Sequence, residues 1–427
     1  MPWIFFILVL AAYCTTAWQQ WQSHLLPLPE NQSSPMQVLT EQLLHATSDA
    51  VILAIGLIGV LALFLGLMRI LEEAGLLNAL AKVLYPLLKG LFPELPPNHP
   101  AFGAMAMNLS ANMLGLGNAA TPFGLKAMQE LDKLNPHPGT ATNAMVLFLA
   151  INTSSITLLP TKIIALRTSA GSHDPAGIIT TTLVATLCST LVAIIAAKSL
   201  QKLFKHPAPT ITLPVPSLSP SPGQAISHYP MIASIVALMG ILGLIPLTLV
   251  YGKVFSPYVI PSLIVLILGF GLVKKIDIYA SFTEGAKGGF DIAIKIIPYL
   301  VAILMAIGML RASGALGALT ELIGRYTAPW GLPAEAIPMV LMRPLSGSGS
   351  LGILSDILKN PSIGPDSYTG YLVSTMMGST ETTFYVLAVY FGAVQIRRIR
   401  HALAAGLLAD LTGMVVSIIA VKYLLFS

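Results

Sequence analysis

Long apolar runs alternate with short charged seams along this chain. Several reach the roughly 17–25 residues that a membrane-spanning helix needs. Such runs fall at 2–18, about 50–68, 142–165, 176–198, about 230–250, 257–273, 291–310, 372–392 and 402–425. Between them, 70–92 and 312–328 set leucines at helical spacing among scattered charges, and 276–290 has the same look. These segments suit helices lying along the membrane surface or packed beneath it.

Two apolar runs are interrupted. Residues 101–128 are broken by Asn108, Ser110, Asn112, Gly115, Gly117, Asn118, Thr121 and Pro122. Residues 339–358 carry Ser346-Gly347-Ser348-Gly349-Ser350 at their tip. The pattern predicts re-entrant helical hairpins, which are tolerated at membrane depth only where protein or a water-filled cavity covers their backbone. A kinked span packing its polar residues against neighbours is the alternative.

Two further runs have polar centres. Asn152-Thr153-Ser154-Ser155 interrupts 142–165 and is followed by Pro160, which removes a backbone donor and blocks the helix. Gly378-Ser379-Thr380-Glu381-Thr382-Thr383 interrupts 372–392. A carboxylate at mid-membrane depth costs about 2.5–3.5 kcal/mol on insertion scales, so it faces a cavity, a partner charge or a transport path. Glu381 reads as the one acid at that depth and as the first functional candidate. A protonated Glu381 bonded between helices is the alternative. Arg343, at the head of the second interrupted run, is its candidate partner or else an arginine reaching for headgroups.

These features recur in order. Gly66-Leu67-Met68-Arg69 and Gly308-Met309-Leu310-Arg311 each end a span before a surface helix, a hairpin and a polar-centred span. The halves close on IIAAK at 194–198 and IIAVK at 418–422. Counting spans with the linker inside makes the copies inverted. Lys198, Lys202, Lys205, Lys274, Lys275, Arg397, Arg398 and Arg400 then lie inside, while Lys162 and Arg167 fall outside. Paired broken helices in inverted repeats point to a secondary transporter with its site near the midplane. The expected units are a first span with an outer loop (1–48), a first repeat (49–205), a linker of six prolines (206–228) and a second repeat with two preceding helices (229–427).

Composition agrees. The chain is 55% hydrophobic and 10% charged, against about 25% charged for soluble domains. The expected class is an all-α polytopic protein of the bacterial inner membrane. The alternating ten-residue segments of a β-barrel are missing. The net charge of +5 sits at segment ends, as a topology signal rather than a nucleic-acid footprint. Cys14 and Cys188 lie in apolar runs and suggest neither a metal site nor a disulfide. The N-terminal run lacks a basic leader and a clear cleavage site, and reads as a retained span.

The strings NLSANMLGLGNAATPFGLKAMQELDKLNP at 108–136, MRPLSGSGSLGIL at 342–354 and GSTETTFYVLAVYFG at 378–392 carry a family likeness. Roughly 45–200 resembles spore maturation protein A, and 230–427 resembles spore maturation protein B, joined in one chain. Both families belong with the nucleoside-recognition or gate domains, also found in concentrative nucleoside transporters and in the membrane domain of a ferrous-iron transporter. The resemblance implies two inverted repeats, each with a re-entrant hairpin (101–128, 339–358) and a broken helix (142–165, 370–392). It does not fix a substrate.

The expected function is therefore an alternating-access carrier for a small polar or anionic solute, such as a nucleoside, dipeptide or carboxylate, coupled to a proton or Na⁺. Asn108, Ser110, Asn112, Asn118, Asn152, Thr153 and Ser154 would line one side. Arg343, Ser346, Ser348, Ser350, Ser379, Thr380, Glu381 and Thr382 would line the other. No further cofactor is expected, and the surface helices would serve a homo-oligomer. The competing reading is a membrane scaffold in envelope or spore-type maturation. An intramembrane enzyme built on Ser348 lacks a histidine base within a span, and the glycines there do not make a phosphate loop.

Overall fold

The computed structural model describes residues 2–25, 33–96, 99–204 and 260–426, with a few isolated positions between 232 and 258. The proline-rich linker and most of the run at 230–250 lie outside the described residues. After α1 (Pro2–Leu25), one sequence of elements occurs twice. The first set is α2 (Pro35–Glu73), α3 (Leu76–Leu91), α4 (Pro100–Met113), α5 (Gly117–Asp132), α6 (Asn143–Thr153), α7 (Thr161–Ser169) and α8 (Ile178–Leu200). After α9 (Ile260–Val273), the second set is α10 (Ile278–Ala312), α11 (Ala315–Thr327), α12 (Ile337–Met342), α13 (Gly347–Lys359), α14 (Tyr368–Ser379), α15 (Thr383–Ala393) and α16 (Ala402–Leu424). Both hairpins and both broken helices stand where the sequence pattern predicts them. α2, α8 and α16 are long and apolar enough to cross a bilayer, and the protein is a multi-pass membrane protein.

The longest helices differ from expectation. The predicted outer loop at 19–48 is largely helical, because α1 runs to Leu25 and α2 starts at Pro35. Ser34 nucleates α2 early: its hydroxyl accepts from the Gln37 amide while the Gln37 side chain accepts from the Ser34 amide. The 39-residue α2 is then about 58 Å long, well beyond the roughly 30 Å hydrocarbon thickness. Likewise 276–290 and 291–310 form one helix, α10, rather than a surface segment and a span.

The glycines in α10 serve packing instead of breakage. A Cβ at Gly289 would lie 2.6 Å from the amide nitrogen of Ala62, and one at Gly285 would lie 2.6 Å from the Leu65 carbonyl oxygen. Small residues four apart on each helix, Ala62 and Gly66 facing Gly285 and Gly289, bring two backbones into contact, as in helix pairs within lipid. Gly308 meets Ala46 farther along. Rising numbers on α10 thus meet falling numbers on α2, and the two corresponding helices run antiparallel.

The broken helices are also antiparallel. The loop before α6 meets the segment after α15: Arg397 and Arg398 amides donate to the Gly139 carbonyl, and Arg400 donates to the Ala141 carbonyl and the Asn143 side chain. Conversely, Arg167 near the end of α7 donates to the Pro365 carbonyl and to Asp366, just before α14. The beginning of each broken helix lies beside the end of the other. The repeats are inverted.

Candidate functional site

Each broken helix is stitched to the tip of its own hairpin. In the first half, the Leu158 amide donates to the Met113 carbonyl at 2.8 Å. In the second, the Phe384 amide donates to the Pro344 carbonyl at 3.2 Å. These bonds satisfy backbone groups that an interrupted helix would otherwise bury unpaired. Gly115 at the first tip has φ +75°, and a Cβ there would lie 2.3 Å from the Leu159 carbonyl oxygen. No other residue type fits that approach. The two breaks then meet each other, with the Glu381 amide donating to the Thr153 carbonyl at 2.6 Å.

A buried amide cluster flanks this junction. Asn152 on α6 donates to the Asn108 side-chain oxygen on α4 and accepts from Asn112 at 3.1 Å. The Tyr390 hydroxyl on α15 donates to Asn152 at 3.4 Å and accepts from Asn108 at 3.3 Å. Asn108 also donates to the Ala120 carbonyl across the hairpin. Hairpin, first broken helix and second broken helix are held by one network of amides and a phenol.

A charged cluster lies on the other flank. Arg343 is 3% exposed and donates to the Thr382 hydroxyl at 2.9 Å. The acids whose charge acts on it are Glu381 and Asp410 on α16. Asp410, 1% exposed, accepts from Thr383 at 2.7 Å. The arginine is a buried partner, not one extended to headgroups.

Glu381 is not the buried, solitary acid that the sequence pattern suggests. Thr380 and Thr382 are extended (φ −149°, ψ 168° and φ −77°, ψ 106°), and side chains alternate along an extended stretch. Both threonines are buried while Glu381 between them is exposed. Asp410 is a second acid within a span. Nor is Arg167 a loop charge. It is 0% exposed, paired with Asp366 at 3.0 Å, with Tyr371 stacked 4.1 Å from its guanidinium. Its burial and ion pair take it out of the count of loop charges.

Of the residues picked from sequence, Asn108, Asn112 and Asn152 come together, as do Arg343 and Thr382, and Thr153 and Glu381. Ser110, Ser154, Ser350 and Ser379 instead bond to carbonyls three or four residues back, in or beside their own helices. Ser346 caps α13 through the Gly349 amide and lies 3.4 Å from Ser348. The Asn118 side chain lies outside the described residues.

Sequence reasoning passed over Tyr390, Asp410 and the polar face of α8. Thr190 donates to the Ser154 carbonyl and Thr186 accepts from the Thr157 amide, so α8 supplies partners that the first break has lost. Ser189 donates to the Ala409 carbonyl on α16. Their signals were present: an acid in the apolar run around 410, and hydroxyls recurring through ITTTLVATLCST at 179–190.

The Gate family model, described as nucleoside recognition, matches residues 54–170 and 293–397, just over half of the chain. Spore maturation protein B of Bacillus subtilis (strain 168) is 50% identical over 165 residues, 39% of this chain and 92% of that protein. Spore maturation protein A of the same organism is 44% identical over 160 residues, 38% of this chain and 82% of that protein. A solved structure of a CNTnw variant in an intermediate state is 13% identical, with a TM-score of 0.40, over 99% of this chain and 93% of that one. With a hairpin and a broken helix inside each matched segment, the chain belongs to the nucleoside-recognition Gate family, as a fusion of halves related to spore maturation proteins A and B.

Proposed function

We propose that this protein is a carrier of the bacterial inner membrane that moves a small polar solute by alternating access, binding it where the two breaks meet. The observation behind this reading is the bond from the Glu381 amide to the Thr153 carbonyl. It joins two unwound segments from opposite repeats, with an exposed carboxylate, a buried guanidinium and a set of amides around it. Inverted repeats that meet at interrupted helices are the arrangement by which secondary carriers expose one site to either side. Amides and a phenol offer paired donors and acceptors, which suits a nucleobase or a peptide bond, and the family's description as nucleoside recognition points the same way. Arg343 gives a solute carboxylate or phosphate a partner, in exchange for its present contact with Thr382. A proton or Na⁺ would supply the driving force, and the peripheral helices would serve a homo-oligomer.

The test is uptake of nucleosides, dipeptides and carboxylates by the purified protein in proteoliposomes. Uptake of none of these solutes would reject the carrier reading. Glu381→Gln, which neutralises the exposed carboxylate at the junction, is expected to weaken uptake while leaving the fold intact, and unchanged uptake in that variant would remove Glu381 from the solute site.

A second reading is a scaffold for envelope or spore-type maturation that has kept the carrier fold. The relatives' printed names favour it, and so does the amide cluster, whose members already satisfy one another. Copurification of one stoichiometric partner, with no solute flux, would select it.

A further inference from the structure

Asp410 stands mid-way along α16, within Leu407-Leu408-Ala409-Asp410-Leu411. Glycines flank it on the same helix. A Cβ at Gly406 would lie 2.7 Å from Thr383 Cγ2, and one at Gly413 would lie 2.9 Å from both Ser379 Oγ and Thr380 Cγ2. The two glycines form a slot in α16 that receives the break between α14 and α15, and the Asp410 carboxyl lies inside it. One oxygen, Oδ2, accepts from Thr383. The other, Oδ1, is buried without a hydrogen-bond partner. Thr380 Oγ1, buried beside the same carboxyl, makes no well-formed hydrogen bond but stands close enough for its hydroxyl to act on the carboxyl.

Other groups face the carboxyl from the surrounding elements. Arg343 is the charge acting on it, and that charge is shared with Glu381. α14 presents Ser379, α15 presents Thr383, and α8 reaches the adjoining turn of α16 through Ser189. α6 meets α16 through the apolar core that holds Ala405 and Ala409.

Asp410 is 1% exposed, and the one charge acting on it, Arg343, spends a hydrogen bond on Thr382 and is shared with Glu381, so an ionised Asp410 is heavily penalised. A single proton on Asp410 Oδ1 removes that charge. An ionised carboxyl can only accept from the Thr380 hydroxyl, whereas the proton lets Oδ1 donate to Thr380 Oγ1 with the charge removed. A sodium ion would need several oxygens, whereas the unpartnered side-chain oxygens at this carboxyl, among the described residues, are Asp410 Oδ1 and Thr380 Oγ1.

We propose that Asp410, rather than Glu381, carries the coupling proton of this protein, held in the slot of α16 against Thr380. This rests on the carrier reading above. Loading forms one O–H bond with a proton taken from water on one side, and unloading returns that proton to the other side. Arg343 links the step to the solute. A solute anion that engages Arg343 withdraws compensation from Asp410, which then takes up the proton, so each favours the other's binding.

Infrared difference spectra of the full chain in lipid, between neutral and acid buffer, test the assignment without any transport assay. The expected result is a carboxylic-acid C=O band that Asp410→Asn removes and Glu381→Gln retains. Asp410→Glu is expected to restore it. Thr380→Val, which takes away the acceptor, moves the band to higher frequency while the protein stays folded. The proposal is overturned if the band survives in Asp410→Asn, if no band appears, or if it answers to NaCl at fixed pH instead of to acid. The band with no solute flux in proteoliposomes would overturn the coupling role with the carrier reading, and leave Asp410 as the protonated group. Flux driven equally well by a proton gradient in Asp410→Asn and in the parent would overturn the coupling role while the carrier reading stands.

Discussion

The amide of Glu381 donates to the carbonyl of Thr153 across the boundary between the two repeats, at 2.6 Å. Neither backbone group is available inside a regular helix, so the contact exists only because both helices unwind at matching depth. Around it, Arg167 ties the end of one broken helix to the start of the other, and Arg400 does the same at the opposite end. A carrier that rocks one repeat against the other has to break or re-form this set of contacts.

Arg167 is the most deeply held of these ties. It pairs with Asp366, donates to the Pro365 and Asp174 carbonyls and to Ser172, and stacks on Tyr371. Arg167→Ala empties the site and strands the partly exposed Asp366, with an expected loss of about 3–5 kcal/mol. Asp366→Asn leaves the guanidinium its carbonyl partners and is expected to cost about 1.5–3 kcal/mol. Denaturation of the two single variants and the double variant should give a coupling energy above about 0.5 kcal/mol. Additive losses would show that the ion pair contributes little beyond the carbonyl contacts.

The contact between α2 and α10 separates two kinds of glycine. Gly289→Leu drives a side chain into the Ala62 backbone, which cannot move aside, and is expected to cost at least about 1–3 kcal/mol. Gly59 lies on the same α2, with nothing within 4 Å of its would-be Cβ. Gly59→Ala is expected to be neutral or to stabilise by up to about 1 kcal/mol through helix propensity. Thermal unfolding in detergent distinguishes them, and equal effects at the two positions would refute the close helix approach.

The parts of this fold that sequence reveals are those where polarity interrupts an apolar run. Asn112, Gly115, Pro160 and Glu381 each do so at or beside a hairpin tip or break, while Asn108 lies within the unbroken α4. What it conceals depends on which groups meet in space. The glycines at 285 and 289 read as helix weakeners until Ala62 is set opposite them. Arg167 reads as a loop charge because its pair, Asp366, is 199 residues away. Asp410 went unremarked inside an otherwise apolar span, and its meaning appears only beside Thr380 and Thr383. The alternation that turns Glu381 outward follows from the extended backbone at 380–382, which no helical periodicity anticipates.

The amide cluster decides between a solute site and a purely structural lock. Asn152→Leu removes the hub, leaving Asn108 Oδ1 and Asn112 Nδ2 buried without their partner, at about 1–3 kcal/mol for each stranded group. Tyr390→Phe is milder: Asn152 Oδ1 still accepts from Asn112 and Asn108 still donates to Ala120, so the expected loss is about 1 kcal/mol. The fold should therefore survive Tyr390→Phe. If the cluster opens to hydrogen-bond the solute, losing the hydroxyl removes one such bond and weakens affinity about tenfold. The readout is the solute-induced rise in melting temperature, which at a fixed ligand concentration falls with affinity. A rise equal to that of the parent protein would assign Tyr390 and its amides to holding the helices alone, and would move the solute to the Arg343 flank of the junction.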